Sequence, residues 1–130
     1  MSRTVLVIED NEQNLYLVTF ILKKNGYLVE QARDGQEGIE KASEVMPDLI
    51  LLDIQLPSMN GYEVAQALRL NPSLASVPIV AVTSYAMVGD RERALEAGCS
   101  GYIEKPINPE TFMTDVERHL RKETESGGSS

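Results

Sequence analysis

Residues 49–57 read LILLDIQLP, in which four aliphatic residues run directly into a carboxylate, Asp53. Residues 5–10, VLVIED, repeat the arrangement and end in Glu9 and Asp10. Continuous apolar runs of this length are typical of strands buried on both faces, as in a parallel sheet covered by helices. The sequence therefore places three acids at the ends of its two most apolar predicted strands.

The composition limits the classes of protein to which this chain can belong. A chain of 130 residues and 14.4 kDa indicates one domain that can bury a core. Its 20 acidic and 12 basic residues give a net charge of −8, which argues against direct nucleic-acid binding because phosphate contacts need a basic face. The single cysteine, Cys99, excludes an internal disulfide and indicates a reducing, cytoplasmic location. We expect no membrane association, since no apolar stretch approaches the roughly 18–20 residues of a span and the start lacks a signal peptide.

Strand and helix patterns alternate five times. Strands are predicted at residues 5–8, 27–29, 49–52, 79–82 and 102–103, and helices at 12–25, 36–46, 61–70, 87–97 and 109–122. The fourth helix has the thinnest apolar face, formed by Val88, Leu95 and alanines. This alternation predicts right-handed crossovers and a doubly wound, three-layer α/β fold with a five-stranded parallel sheet. We expect the domain to span residues 1–122 and residues 123–130 to form a flexible tail.

In open parallel sheets, functional groups collect at the carboxyl ends of the strands. If the first and third strands are neighbours, Glu9, Asp10 and Asp53 meet in one cleft, where three anions repel each other unless a cation joins them. Mg²⁺ prefers such carboxylate oxygens. An acid after a strand can also be a turn former or a helix N-cap, and Asp10-Asn11 could cap the first helix.

Two further strand ends add complementary groups. The fourth predicted strand runs into Thr83-Ser84, and the fifth runs into Glu104-Lys105-Pro106. A metal, a hydroxyl and a lysine are the groups that position a transferring phosphoryl group and neutralise its charge. The nucleophile would then be a carboxylate of the acidic cluster, since aspartate side chains can form aspartyl phosphates.

This set of motifs resembles the receiver domain of two-component response regulators over residues 4–121. The resemblance implies the CheY-like, flavodoxin-like strand order 2-1-3-4-5. It also implies that Asp53 accepts a phosphoryl group from the phosphohistidine of a histidine kinase or a histidine phosphotransfer protein. The implied cofactor is Mg²⁺, with Mn²⁺ as an alternative ion. Its implied ligands are Asp10, Asp53 and the backbone carbonyl of Gln55, with Glu9 acting through a water molecule.

The same resemblance assigns roles to the other strand ends. Lys105 would bind a phosphoryl oxygen, and the peptide bond before Pro106 would be cis. Thr83 and Tyr102 would form a switch pair, in which the hydroxyl of Thr83 moves to the phosphoryl group and Tyr102 turns inward. The surface of the fourth helix, fifth strand and fifth helix would then change shape for a downstream protein partner.

The resemblance also implies that the positions two residues after the acceptor and two residues after Thr83 tune the lifetime of the aspartyl phosphate. In this chain these positions hold Gln55 and Tyr85, and bulky Tyr85 is expected to shield the phosphoryl group. The loop that follows the acceptor is expected to be shaped by Pro57 and Gly61. The only histidine, His119, is expected to be a solvated residue in the last turn of the fifth helix.

We interpret the chain as a signalling domain that catalyses only its own phosphorylation and dephosphorylation. A Mg²⁺-dependent phosphotransferase with an aspartyl nucleophile is the alternative, but such enzymes usually carry a second acid where this chain has Gln55. Residues 86–107 are similar both to DivK-type single-domain regulators and to hybrid-kinase receivers. The Met1-Ser2-Arg3 start favours a stand-alone regulator over a receiver excised from a hybrid kinase. A monomer and a weak phosphorylation-dependent dimer both stay open.

Overall fold

The computed structural model describes residues 3–56, 59–84 and 89–128, and within these ranges five strands alternate with five α-helices. The strands are β1 (Thr4–Ile8), β2 (Leu28–Ala32), β3 (Leu49–Asp53), β4 (Ile79–Thr83) and β5 (Gly101–Glu104). The helices are α1 (Glu12–Lys24), α2 (Gly35–Val45), α3 (Gly61–Arg69), α4 (Asp90–Glu96) and α5 (Pro109–Gly128), and a 3₁₀ turn (Pro72–Leu74) precedes β4. Within the described ranges, none of the helices has the length and apolar character that a membrane crossing requires.

All strand pairs are parallel, and the strand order is β2-β1-β3-β4-β5. The predicted order 2-1-3-4-5 and the doubly wound α/β fold are confirmed. Because β1 lies between β2 and β3, Ile8 pairs with Leu52 near the carboxyl ends of their strands. The residues that follow β1 and end β3 therefore share one edge of the sheet.

Successive residues of the central strands pack into two separate cores. Val5 and Val7 of β1 point into the cluster that includes buried residues of α1 and α5. Leu6 and Ile8 point into the opposite cluster, which includes buried residues of α2, α3 and α4. All four side chains are at most 2% exposed. Burial on both faces explains why the apolar runs are continuous rather than alternating.

The helices begin and end close to where the sequence predicts, except that α5 is longer than expected. Asn11, Asp34 and Asn60 cap α1, α2 and α3 through their side-chain oxygens, and α5 begins at Pro109 as expected. Helix α5 continues to Gly128, past Lys122, where the sequence predicts the tail to begin. The flexibility of the tail stays a prediction.

Helix α4 is short and attaches to the sheet through small side chains. Its Ala94 and the following Ala97 are buried, whereas Leu95 is 50% exposed. The expectation that Leu95 belongs to the buried face is therefore wrong, because the alanines occupy that face and turn Leu95 outward. Val88, the other residue expected there, lies outside the described residues.

Arg69, the last residue of α3, ties three segments together at the amino edge of β4 and β5. Its guanidinium donates to the carbonyl oxygens of Leu74 at 2.8 Å, Val77 at 2.7 Å and Gly98 at 2.8 Å. Gly98 has φ +106°, and a Cβ there would come within 2.5 Å of the Arg69 side chain. These bonds hold the turn that follows α4 against the turn that precedes β4.

We predict that Arg69→Ala lowers the free energy of unfolding by about 2–4 kcal/mol, because charge-assisted bonds to three part-buried carbonyl oxygens are lost together. Urea denaturation followed by circular dichroism measures the change. The matched control is Arg33→Ala, since Arg33 forms an exposed ion pair with Glu12 at 3.0 Å and should cost less than about 1 kcal/mol. Equal costs for the two variants would contradict this role of Arg69.

Candidate functional site

The carboxyl edge of the sheet gathers the acids that end β1 and β3. Carboxylate oxygens of Glu9, Asp10 and Asp53 all lie within 4.8 Å of one another. Glu9 and Asp53 are 4% and 3% exposed, whereas Asp10 is exposed. The structure thus brings together the three acids that the sequence places at strand ends.

Asp10 is not the residue that caps the first helix. The side chain of Asn11 does so, and its Oδ1 accepts from the backbone N–H of Asn14 at 2.9 Å. The backbone N–H of Asn11 in turn donates to Glu9 Oε2 at 3.2 Å. The cap and the acidic cluster are therefore formed by different residues, and the carboxylate of Asp10 is left to the cleft.

Lys105 supplies a positive charge to this cluster from the end of β5. Its Nζ lies 3.3 Å from Glu9 Oε1 and 3.3 Å from Asp53 Oδ2. Its backbone N–H donates to the carbonyl oxygen of Thr83 at 2.8 Å, which fixes the lysine relative to β4. The Lys105–Pro106 peptide bond is cis, as the family resemblance implies.

The pKa of Glu9 is raised to about 7. Burial is the largest cause, followed by the hydrogen bond and the repulsion between its carboxyl group and Asp53, and Lys105 offsets only part of this. Below the two carboxyl groups lies a cavity of about 10 Å³ with apolar walls that include Val18 and Phe112. Such apolar neighbours contribute to the desolvation that disfavours a charged Glu9.

The donor set fits a hard divalent cation. Three carboxyl groups converge at this edge of the sheet. Among the described residues, Lys105 forms the ion pairs with Glu9 and Asp53. Carboxylate oxygens of this number and spacing are the ligands that Mg²⁺ prefers, and its charge would offset the repulsion that raises the pKa of Glu9. The expected fourth ligand, the carbonyl of Gln55, stays a prediction.

The loop after Asp53 holds that side chain in place. Asp53 Oδ1 accepts from the backbone N–H of Gln55 at 2.9 Å, while its other oxygen faces Lys105. Gly61 begins α3 directly against this loop, since a Cβ there would lie 2.4 Å from Ile54 Cα and 2.9 Å from the carbonyl oxygen of Asp53. Only glycine permits this approach. Pro57, expected to shape the same loop, lies outside the described residues.

Thr83 and Tyr102 lie on the same side of the sheet. Tyr102 pairs with Ala81, and Thr83 stands two residues beyond Ala81, so the three side chains share the face that α4 covers. Thr83 is 3% exposed, whereas Tyr102 is half-buried. Burial, with Glu104 and Asp90 nearby, raises the pKa of the Tyr102 phenol, which therefore stays protonated at neutral pH. The geometry is compatible with the predicted switch pair, whose motion stays a prediction.

Sequence reasoning missed a bridge across the mouth of the cleft. The side-chain Oε1 of Gln55 accepts from the backbone N–H of Ser84 at 3.2 Å and from its hydroxyl at 2.8 Å. The only sequence signal was the position of Ser84 next to Thr83. Tyr85, expected to shield the phosphoryl group, lies outside the described residues.

The expectation that His119 is a solvated residue in the last turn of α5 is wrong. The side chain is half-buried, and its imidazole lies against Gly101, where a Cβ would come within 2.0 Å of it. Gly101 leaves this space because it has no side chain. A recess of about 300 Å³ lies between α4, β5 and α5, and its lining residues include Arg91, Tyr102, Arg118 and His119.

The fold and the site together define a class of protein, an open α/β domain with an acidic, lysine-containing cleft at the carboxyl edge of its sheet. A family model described as the response regulator receiver domain matches residues 5–117. The chain belongs to the response regulator receiver domain family. It is therefore a signalling domain of two-component systems, in which phosphorylation and Mg²⁺ binding are general features.

Similarity to individual proteins supports the same family assignment. The chain is 41% identical over 120 residues to the polar-differentiation response regulator DivK of Brucella ovis, and the match covers 92% of this chain and 98% of that protein. The chemotaxis protein CheY4 of Vibrio cholerae superposes with a TM-score of 0.88 at 30% identity, with 92% and 99% of the two chains covered. The receiver domain of sensor histidine kinase PA1611 from Pseudomonas aeruginosa, solved with magnesium in its active-site cleft, gives 0.85 at 32% identity, covering 92% and 98%.

We predict that Glu9 makes the folded protein less stable as pH rises from about 4.5 to about 7 in the absence of divalent cations. Its pKa is raised in the folded state, so the folded protein binds the proton more tightly than the unfolded chain, and stability is lost as that proton dissociates. Glu9→Gln should therefore exceed wild type in free energy of unfolding by roughly 1–3 kcal/mol at pH 8, with little difference at pH 4.

Urea denaturation of both proteins across this pH range measures the effect. Mg²⁺ should reduce the difference at pH 8, because a bound cation favours the ionised glutamate. A difference between the two proteins that does not change with pH would contradict the assignment.

Proposed function

We propose that this domain accepts a phosphoryl group on Asp53 from a phosphohistidine, with Mg²⁺ bound to the acidic cluster and Mn²⁺ as a substitute. The observation that carries the proposal is the buried Asp53 carboxylate, which faces Lys105 at 3.3 Å and shares a 4.8 Å cluster with two further acids. Glu9, Asp10 and Asp53 would hold the ion, together with the carbonyl of Gln55. When bound, Mg²⁺ supplies positive charge to the phosphoryl oxygens.

In the proposed step, an Asp53 oxygen attacks phosphorus while the bond from phosphorus to the histidine nitrogen breaks, and that nitrogen keeps the electron pair. Lys105 already contacts Asp53 Oδ2, so its ammonium needs only a small shift to bind a phosphoryl oxygen. The backbone N–H of Gln55 orients the attacking carboxylate through Oδ1. Such preorganised charge and positioning account for most of the catalysis of phosphoryl transfer.

The proposed chemistry is limited to phosphorylation and dephosphorylation of the domain itself. A phosphatase or phosphotransferase of the aspartyl-nucleophile type needs an acid to protonate its leaving group, and the position two residues after Asp53 is Gln55. The Gln55 amide cannot release a proton to a leaving group at neutral pH. This supports a phosphorylated switch rather than turnover of small substrates.

We propose that the switch acts through Thr83 and Tyr102 on the surface formed by α4, β5 and α5. Thr83 is one residue past Val82, the partner of Asp53, which places Thr83 at the same carboxyl edge of the sheet as the acceptor. Tyr102 lines the recess of this surface and would alter its shape by turning inward. Arg91 and Arg118 also line the recess, so a downstream partner with an acidic side chain fits it best.

We propose a stand-alone regulator that acts in the cytoplasm. The similarity to the response regulator DivK, at 41% identity over 120 residues, supports this proposal. Cys99 is a free, buried thiol whose pKa is raised by burial to about 11. A cysteine in this state is suited to a reducing compartment and offers no competing nucleophile.

We predict that the protein gains the mass of one phosphoryl group when it is incubated with acetyl phosphate and Mg²⁺, and that Asp53→Asn does not. Asparagine keeps the shape of the side chain but cannot form the acyl phosphate. Intact-mass spectrometry at acidic pH measures the adduct. Asp115→Asn, a change of an α5 carboxylate that pairs with Arg118 at 3.7 Å, is the control and should leave the adduct unchanged. An adduct that persists in Asp53→Asn would assign the acceptor to another residue.

We predict that Thr83→Ala still binds beryllium trifluoride, a mimic of the phosphoryl group, but no longer transmits the change to Tyr102. In wild type, the ring resonances of Tyr102 should shift when the mimic and Mg²⁺ are added, because the ring changes its environment. Two-dimensional aromatic NMR measures the shift, with Tyr16, which is 72% exposed on α1, as an internal control. An equal response of Tyr102 in Thr83→Ala would contradict the switch.

A further inference from the structure

Helix α4 is joined to α3 by a contact between a cation and an aromatic ring. The guanidinium carbon of Arg93, in the middle of α4, lies 4.5 Å from the centre of the Tyr62 ring on α3. This distance is within the roughly 6 Å at which a cation is attracted to the face of a ring. Because α4 buries chiefly alanine against the sheet, the contact adds a specific attachment to a helix with little apolar surface of its own.

Tyr62 offers Arg93 a neutral, half-buried ring. Burial, with the negative charge of Asp90 nearby, raises the pKa of the Tyr62 phenol, and Arg93 offsets part of this. The ring therefore keeps its proton at neutral pH and presents an electron-rich face to the guanidinium. Asp90, the first residue of α4, also contributes to the raised pKa of Tyr102. The start of α4 thus lies close to both Tyr62 and the ring of the predicted switch.

Tyr62 is the second residue of α3, and the start of this helix is attached to the loop that follows Asp53. Asn60 Oδ1 accepts from the backbone N–H of Tyr62 at 2.8 Å, and the backbone N–H of Gly61 donates to the carbonyl oxygen of Ile54 at 3.1 Å. The two segments approach so closely that a Cβ on Gly61 would lie 2.4 Å from Ile54 Cα. Atoms packed this closely move together, so a displacement of Ile54 displaces the start of α3.

The same loop contacts the carboxylate that would be phosphorylated. The backbone N–H of Gln55, the residue after Ile54, donates to Asp53 Oδ1 at 2.9 Å. A phosphoryl group adds roughly −1.5 to −2 charges to this carboxylate and new acceptor oxygens, which changes the bonding of the loop. Contacts therefore lead from Asp53 through the loop and the start of α3 to α4, and Thr83 and Tyr102 are not among them.

We propose that Tyr62 is a positioning residue that couples phosphorylation of Asp53 to α4 through Arg93, in parallel with the predicted switch pair. The inference rests on the proposed phosphorylation of Asp53. A change in the loop moves the start of α3, the ring of Tyr62 moves with it, and Arg93 transmits the displacement to α4. Since Tyr62 and Arg93 meet only through their side chains, this route can be cut by substitutions outside the acidic cluster.

The contact itself is tested by proton NMR of the wild-type protein. The δ protons of Arg93 should resonate at high field, because they lie above the face of the Tyr62 ring. Tyr62→Phe should keep this shift, since phenylalanine also presents a ring face, and Tyr62→Leu should abolish it.

The coupling is tested in Thr83→Ala, which cuts the predicted switch. Adding beryllium trifluoride and Mg²⁺ should still shift the amide resonance of Ala94, which is buried beneath α4, although the ring of Tyr102 no longer responds. Adding Tyr62→Leu or Arg93→Ala to this variant should reduce the shift of Ala94 to less than half, whereas Tyr62→Phe should preserve it. The shift is the difference between the free and bound forms of the same variant, which removes the direct effect of each substitution.

The converse experiment uses the wild-type background. There Tyr62→Leu should reduce the shift of Ala94 on binding of the mimic, while the ring of Tyr102 still responds through Thr83. A purely structural role of Tyr62 would not separate the two responses.

Matched controls are Tyr16→Leu, which removes a tyrosine ring that is 72% exposed on α1, and Glu92→Ala, which changes an exposed residue of α4 next to Arg93. Both should leave the shift of Ala94 unchanged. The amide of Gln55, which contacts Asp53, reports binding of the mimic in every variant. Urea denaturation separates a loss of coupling from a loss of folding.

The outcomes separate this coupling from the proposed function. The role of Tyr62 would be overturned by Arg93 protons without a high-field shift, or by an Ala94 response that survives Tyr62→Leu in both backgrounds. It would also be overturned by an Ala94 amide that is silent in Thr83→Ala with the mimic bound. In each case, binding of the mimic that depends on Asp53 would leave the proposed phosphorylation intact. Wild type that fails to bind the mimic in the presence of Mg²⁺ would overturn both.

Discussion

Repulsion among the carboxyl groups of Glu9, Asp10 and Asp53 is the constraint on which the site depends. Their oxygens lie within 4.8 Å of one another, and the ammonium of Lys105 neutralises only part of the charge. Burial of Glu9 in apolar surroundings adds the cost of desolvation and raises its pKa to about 7. A bound divalent cation would offset the charge of the acids, and that ion together with Lys105 would offset the charge of a phosphoryl group on Asp53.

This arrangement persists because the strands that carry it are held on both faces. The alternating side chains of β1 and β3 fill one core against α1 and α5 and another against α2, α3 and α4. A shift of register by one residue would exchange the two sets of side chains and disrupt both cores. The backbone positions of Glu9 and Asp53 are therefore set by packing, which holds the repelling carboxyl groups together.

Helix α4, through which phosphorylation would be transmitted, packs against the sheet with less apolar surface than the strands that carry the acidic cluster. Helix α4 has seven residues and buries chiefly alanine against the sheet, so little apolar area opposes its movement. Arg69 anchors the turn after α4, and the bond between Gln55 and Ser84 restrains the end of β4. The bond from Gln55 to Ser84 thus connects the loop that carries Asp53 to the end of the strand next to β5.

The alternation of elements, the buried strands and the acids and lysine at their ends were all predictable from the chain, because continuous apolar runs and their boundaries are local features. Strand order came only with the resemblance to receiver domains, since local periodicity does not specify which strands are neighbours. The outward position of Leu95, the packing of His119 on Gly101 and the bridge from Gln55 to Ser84 arose from the tertiary structure. Each depends on how close two segments distant in sequence approach and on which side chain is small enough to allow it, and packing in three dimensions determines both.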